Sequence, residues 1–220
     1  MNHPSYSSVT QTESALQEGR RVLRNTYMLL SITLLFSAGM AWLAMALNIR
    51  FLHPLIFLVG AYGLMFLVSY TARTALGLVA ILAFTGFMGF SLGPVLNLFM
   101  HSAGGASVVT MALSTTGVAF LGLSVVAIFT RRDLSFLSSF ITVGVIVLLA
   151  GMIISLFTQV SGLSMALSGG FVLLSSAVIL LRTQQIVRGG QDNYILATID
   201  LYVSIYNMFI SLLQLFSPRN

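Results

Sequence analysis

The sequence contains no cysteine and no lysine, and only 7% of its 220 residues are charged. Without cysteine there can be no disulfide, thiolate metal site or cysteine nucleophile. The scarcity of charge excludes more. An average soluble domain carries about 25% charged residues, and a soluble chain of this size could not cover its surface with so few. Histidine is also scarce. His3, His53 and His101 are the only three, and none is spaced to pair with another or with a carboxylate. No H-E-x-x-H, no G-x-S-x-G, no phosphate-binding loop and no acidic pair within one apolar stretch occurs. The expectation is a protein that is not an enzyme, with no catalytic residue, no metal and no cofactor.

What is abundant is apolar. Hydrophobic residues make up 57% of the chain, and the mean hydropathy is +0.99. Such a chain is an integral membrane protein, with the lipid bilayer as its principal partner. The net charge of +5 does not point to nucleic acid. All ten basic residues are arginines, placed singly or in pairs at the ends of apolar runs. That is the pattern of topology signals, not of a phosphate-binding face.

Seven apolar stretches stand out, at 27–48, 52–71, 75–100, 106–130, 135–158, 163–182 and 194–216. Each is close to or above the ~20 residues a helix needs to cross ~30 Å of hydrocarbon. None has the ten-residue alternation of a membrane β-barrel. The reading is an all-α, polytopic bundle of seven transmembrane helices. The third and fourth stretches are long enough to tilt or kink. Short connections predict that successive helices are antiparallel neighbours.

Orientation follows from the arginines. With the N-terminus in the cytoplasm, the inside segments hold Arg20, Arg21, Arg24, Arg73, Arg131, Arg132, Arg182 and Arg188, and the outside holds Arg50 and Arg219. Eight against two places the N-terminus inside and, after seven spans, the C-terminus in the periplasm.

Residues 1–24 form a polar tail, and 25–220 the transmembrane domain. The tail carries no charged start followed by an apolar run, so no cleavable signal peptide is expected. Asn2 to Gln11 is rich in Ser and Thr and is expected to be disordered. Ser14 and Gln17 fit a helix-capping box, followed by Glu18, Arg20, Arg21 and Arg24. A short interfacial helix leading into the first span and a floppy tail with a basic stop both fit this pattern.

Within the spans, Gly86, Gly89 and Gly93 provide small surfaces for close helix packing, with a G-xxx-G step from Gly89 to Gly93. Gly117 and Gly122 suggest the same in the fourth span. Pro94 should kink the third helix and could free carbonyls to line a cavity. The opposing view is that Gly and Pro are simply common in membrane helices.

Ionisable groups inside a membrane are functional suspects, since each costs roughly 2.5–3.5 kcal/mol at mid-helix on the insertion scale. Asp200 falls inside the seventh span, and Arg182 ends the sixth. Both lie towards the same membrane face and could pair; alternatively Arg182 snorkels to the interface and Asp200 is wet. Asp200, Ser204 and Asn207 follow i, i+4, i+7 spacing and share one helical face. A polar stripe on a membrane helix must face protein or water, so the seventh helix should be enclosed by the others.

Several stretches carry a family likeness: RVLRNTYMLLS at 21–31, GAYGLMFL at 60–67, AFTGFMGFSLGPVLN at 83–97, TRRDLSFL at 130–137 and NYILATIDLYVSIYNMFISLL at 193–213. With the Gly-Pro-x-Leu of 93–96, and with Ala112 and Thr116 fitting its continuation, the chain resembles the Bax inhibitor-1 (TMBIM-like) family, in its proteobacterial branch. The likeness runs from about residue 20 to the end.

In the calcium-leak members of that family, two aspartates on the last two helices form a pH-sensitive latch. The resemblance places the first at Arg182 and the second at Ser204. Neither is Asp here, and Arg cannot deprotonate in a protein, so that calcium site is not carried over. An Arg182–Asp200 pair, with Ser204 one turn away, offers a substitute interhelical latch that repels cations. The proteobacterial branch is associated with FtsH, a membrane-anchored ATP-dependent protease. The resemblance therefore implies a regulator in the bacterial inner membrane that binds FtsH and limits degradation of other membrane proteins. The alternative reading is a pH-sensitive calcium or cation leak.

Overall fold

The structure is a computed structural model that describes residues 5–49, 51, 53–102, 104–158 and 161–217; for 5–16, 156 and 161 it describes the backbone alone. Seven helices follow one another: α1 (Ser5–Ala46), α2 (Pro54–Thr71), α3 (Leu76–Met100), α4 (Gly105–Phe129), α5 (Phe136–Phe157), α6 (Ser161–Val187) and α7 (Tyr194–Phe216). Each contains a stretch long and apolar enough to cross a membrane. Arg50 and Arg219, the two arginines assigned to the outside, lie outside the described residues, as does His3.

The first helix departs from expectation. It is a single helix of 42 residues, roughly 63 Å long at 1.5 Å per residue, about twice the hydrocarbon thickness. Residues 5–11 are helical, and Ser14 lies inside the helix rather than at its start. Nothing between Gln11 and Asn25 breaks a helix except Gly19, and that glycine is buried in a contact. A Cβ there would come within 2.9 Å of the carbonyl oxygens of Ile186 and Val187, at the end of α6. The N-terminal part of α1 is thus seated on the last turn of α6.

The other boundaries follow from local chemistry. Pro54 opens α2 at its first turn, where a missing N–H costs nothing, and the His53 ring accepts from Leu55 N at 3.4 Å. The Asn193 side chain caps α7, accepting from Ile195 N at 2.9 Å and Leu196 N at 3.2 Å. It also donates to Ala72 O at 2.9 Å, tying α7 to the end of α2. At the end of α6, Gly189 adopts φ +75°, with Gly189 N bonded to Ile186 O at 3.1 Å and Gly190 N to Gln185 O at 2.8 Å. That is a Schellman cap, which a side chain with a Cβ would strain. It places the end of α6 five residues beyond Arg182, so Arg182 lies inside the helix, not at its tip.

α7 is the centre of the bundle. It packs against α1, α2, α3, α4 and α6. Its most apolar window is 67% buried, against 56% for α3 and 11% for α5. α7 is therefore the most enclosed helix; on its polar stripe Ser204 is buried and Asp200 and Asn207 are partly buried. α1 and α3 form the most extensive pair. A Cβ on Gly86 would meet Phe36 Cε1 at 2.6 Å, one on Gly89 would meet Ser37 Oγ at 2.6 Å, and one on Gly93 would meet Ala44 Cβ at 2.5 Å. The three glycines let the two backbones touch. Gly117 and Gly122 do not act this way: a Cβ at either meets nothing within 4 Å. α3 keeps its helical course through Pro94.

Chain neighbours are not always spatial neighbours. Among the described residues no Cα of α1 comes within 8 Å of one in α2, nor any of α4 of one in α5. The connections at 47–53 and 130–135 are long enough to carry the chain past an adjacent position. α1 then pairs with α3, and both α4 and α5 lean on α6.

Candidate functional site

The last two helices run antiparallel and are joined by polar contacts at two levels. Arg182 Nε lies 3.0 Å from Asp200 Oδ2, with the side chains 39% and 27% exposed. Arg182 Nη1 also donates to Gln185 Oε1 at 3.0 Å. Near the opposite ends, Ser168 Oγ donates to Gln214 Oε1 at 2.8 Å. Both pairs share one register: 168 to 182 is fourteen residues along α6, and 200 to 214 is fourteen along α7. Two heptads separate the rungs. The residues midway, Ser175 on α6 and Asn207 on α7, fall at the same register. Such bonds contribute about 0.6 kcal/mol each between membrane helices, up to about 1.7. Their larger effect is on register, because a shift of one residue would leave every rung without its partner.

The ion pair sits roughly 8–9 Å inside the helix ends, given five residues from Arg182 to Val187 and six from Tyr194 to Asp200 at 1.5 Å each. Ser204 does not join it. Its hydroxyl donates to the Asp200 carbonyl at 2.8 Å, bonding along its own helix as serines in membrane helices commonly do. The structure thus brings Arg182 and Asp200 together, while the Ser204 hydroxyl is bonded to the Asp200 backbone.

Deeper in the bundle, the Tyr202 hydroxyl is 2.7 Å from Ser37 Oγ and donates to Thr85 O at 3.3 Å. One phenol so links α7 to α1 and α3. Its ring meets Phe84 edge-on at 6.0 Å between centroids and stacks on Tyr206 at 6.3 Å. Closer to the ion pair, Thr198 Oγ1 donates to Tyr194 O at 2.7 Å and to Thr26 O at 3.3 Å. Tyr27 OH lies 3.5 Å from Thr183 Oγ1. The Thr26 and Ser124 hydroxyls, on the flanking helices α1 and α4, are buried without a partner among the described residues.

At the end of α6, two side chains grip the connection between α4 and α5. Gln184 Nε2 donates to Arg132 O at 2.8 Å, and Gln184 Oε1 accepts from Leu134 N at 3.0 Å. Arg188 Nη2 donates to Arg131 O at 3.0 Å and Arg132 O at 2.7 Å. Asp133 accepts from the Ser135 hydroxyl at 2.6 Å and from Ser135 N at 3.0 Å. Those two bonds, with Arg188 beside them, hold its carboxyl below the ordinary aspartate value.

Sequence reasoning picked out Arg182, Asp200 and the α3 glycines. It missed Gln184, Arg188 and Gln214. A signal for Gln214 was present, since it continues the 200, 207 spacing by seven, and Ser168 and Ser175 precede Arg182 by the same step on α6. Nothing in the spacing marks Gln184 as a clamp on a loop 50 residues earlier in the chain.

Comparison with known proteins agrees with this architecture. The family model described as Inhibitor of apoptosis-promoting Bax1 matches residues 19–220. An uncharacterised protein of Pseudomonas aeruginosa is 51% identical over 94% of both chains. The Escherichia coli K12 protein named Modulator of FtsH protease YccA is 44% identical, again over 94% of both chains. Its counterpart in a second Escherichia coli strain, at the same identity and coverage, is named Inner membrane protein YccA. The match begins at residue 19, within α1, and runs through the other six helices, so this inner-membrane chain belongs to the Bax inhibitor-1 family.

Proposed function

We propose that this protein binds the membrane-anchored ATP-dependent protease FtsH and limits its degradation of other membrane proteins. The observation that carries the reading is its 44% identity, over 94% of both chains, to a protein named as a modulator of that protease. The form of α1 supports it. In the orientation given by the arginines the N-terminal part of α1, which continues beyond the apolar run, lies in the cytoplasm, and a processive protease pulls on an exposed segment. Residues 25–220 are a bundle in which α1 is pressed onto α3 through Gly86, Gly89 and Gly93. A protein with an accessible handle and a body that resists extraction occupies the protease without being consumed quickly.

The interhelical latch fits a regulator better than a channel. Where the resemblance places two titrating carboxylates, the chain has Arg182, bonded to Asp200, and Ser204, bonded to its own helix. The guanidinium closes the site to cations.

The test is a reconstituted degradation assay with the protease and a second membrane substrate. Full-length protein should slow loss of that substrate. Deleting residues 2–18 keeps Arg20, Arg21 and Arg24 and hence insertion; the shortened protein should last longer and inhibit more persistently. Unchanged substrate loss in the presence of the full-length protein would overturn the reading.

A further inference from the structure

The two consecutive helices α4 and α5 leave a gap. They are joined by residues 130–135, yet among the described residues no Cα of one comes within 8 Å of a Cα of the other, and each packs on α6. Helices held that far apart on one neighbour leave room for a cleft floored by α6, and Leu173 of α6 is exposed, as are Phe129 and Phe136 where the connection leaves and re-enters the helices.

The mouth of the cleft carries a net positive charge. The connection presents Arg131 and Arg132, both exposed. Its backbone is fixed by Gln184 and Arg188, whose bonds take up the carbonyls of Arg131 and Arg132. The one neighbouring acid, Asp133, is committed to Ser135 and lies 3.7 Å from Arg188 Nη1. Among the described residues neither the Arg131 nor the Arg132 guanidinium has an ionic partner. Two guanidinium groups without an ionic partner among the described residues therefore stand between the end of α4 and the start of α5, beside the end of α6.

We propose that this cleft is a binding site for an anionic phospholipid, its acyl chains between α4 and α5 and its phosphate on Arg131 and Arg132. Guanidinium matches phosphate oxygen pairs geometrically. A zwitterionic headgroup carries its own ammonium beside the phosphate and competes with the arginines; an anionic headgroup does not. Free phosphate has the charge but nothing to fill the cleft. Arg188 is a positioning residue, holding the connection by its carbonyls so that it stays over the cleft.

The experiment uses the full chain in neutral detergent, titrated separately with phosphatidylglycerol, phosphatidylcholine and inorganic phosphate. Bound lipid is read by native mass spectrometry and stability by thermal melting. Phosphatidylglycerol should bind and raise Tm more than phosphatidylcholine, and phosphate should do neither. The double variant Arg131→Gln/Arg132→Gln should melt normally without lipid and bind phosphatidylglycerol about thirtyfold more weakly, from about 1 kcal/mol per arginine. The charge-matched control Arg20→Gln/Arg21→Gln on α1 should keep wild-type affinity. Equal binding of the two lipids, equal stabilisation by free phosphate, an unaffected double variant, or a control weakened as much as the double variant would each overturn the proposal.

Discussion

The Tyr202 phenol and the Ser37 hydroxyl lie 2.7 Å apart in the buried centre of the bundle, joining the most enclosed helix to the first. The same phenol donates to the Thr85 carbonyl at 3.3 Å. Tyr202→Phe keeps the ring against Phe84 and removes both bonds, leaving the Ser37 hydroxyl buried without this partner. The expected loss is about 1–2 kcal/mol. Tyr202→Ala also opens a cavity, and about 3–5 kcal/mol is expected. Thermal or denaturant unfolding in detergent gives both values. Equal costs for the two changes would show that packing of the ring contributes nothing beyond the bonds.

Gly89 and Gly117 make a paired test of helix packing. A Cβ on Gly89 would strike the Ser37 carbonyl, while one on Gly117 meets open space. Gly89→Ala must push α1 from α3 and should cost about 1–3 kcal/mol, as overpacking does. Gly117→Ala should be neutral or stabilise by up to about 1 kcal/mol, through reduced freedom of the unfolded chain. If both alanines behave alike, the close α1–α3 approach is not held by these glycines.

Topology is a third test. A reporter active only in the cytoplasm should work when fused at the N-terminus or in the 188–193 connection, and fail at the C-terminus. The arginine count supplies the direction, and the odd number of spans supplies the difference between the ends. A cytoplasmic C-terminus would contradict the seven-span path.

Much of this architecture was legible in the sequence because a bilayer imposes a strong rule: every backbone group must be satisfied within its own helix. Seven apolar runs accordingly became seven helices. The polar spacing of Asp200, Ser204 and Asn207 also said that α7 would be enclosed. Two things were not legible. The extent of α1 and α6 beyond their apolar runs was hidden, because hydropathy marks the lipid boundary and not the end of hydrogen bonding. The Schellman cap at Gly189 and Gly190 sets the end of α6, and it puts Arg182 inside the helix. Spatial neighbours were hidden too. Gly89 and Gly117 look alike in sequence, but only the first has a helix against it, and no local pattern says which faces meet. Ser204 was placed beside the latch by spacing, yet its hydroxyl had a nearer acceptor in its own helix.

The last prediction concerns Arg182 and Asp200, 3.0 Å apart and 39% and 27% exposed. A fully exposed ion pair contributes about 0.2–1 kcal/mol, and breaking a sealed one costs about 3–5 kcal/mol. This pair lies between those limits, with the guanidinium also held by Gln185 at 3.0 Å. The two single changes should not be equal. Asp200→Ala leaves a guanidinium that cannot shed its charge, but its long stem can carry the head towards the interface. Arg182→Ala leaves a short carboxylate fixed deep on the central helix, with no such reach, and should be the more destabilising. The double change to Ala removes both charges and should recover part of the loss. The double-mutant cycle should therefore give a coupling of about 1–2 kcal/mol. Changing Ser204 to Ala should leave that coupling intact, because its hydroxyl bonds to the Asp200 backbone and not to the carboxylate. A coupling indistinguishable from zero would reduce Arg182 to an interfacial anchor and remove the latch from the account of how α6 and α7 are held together.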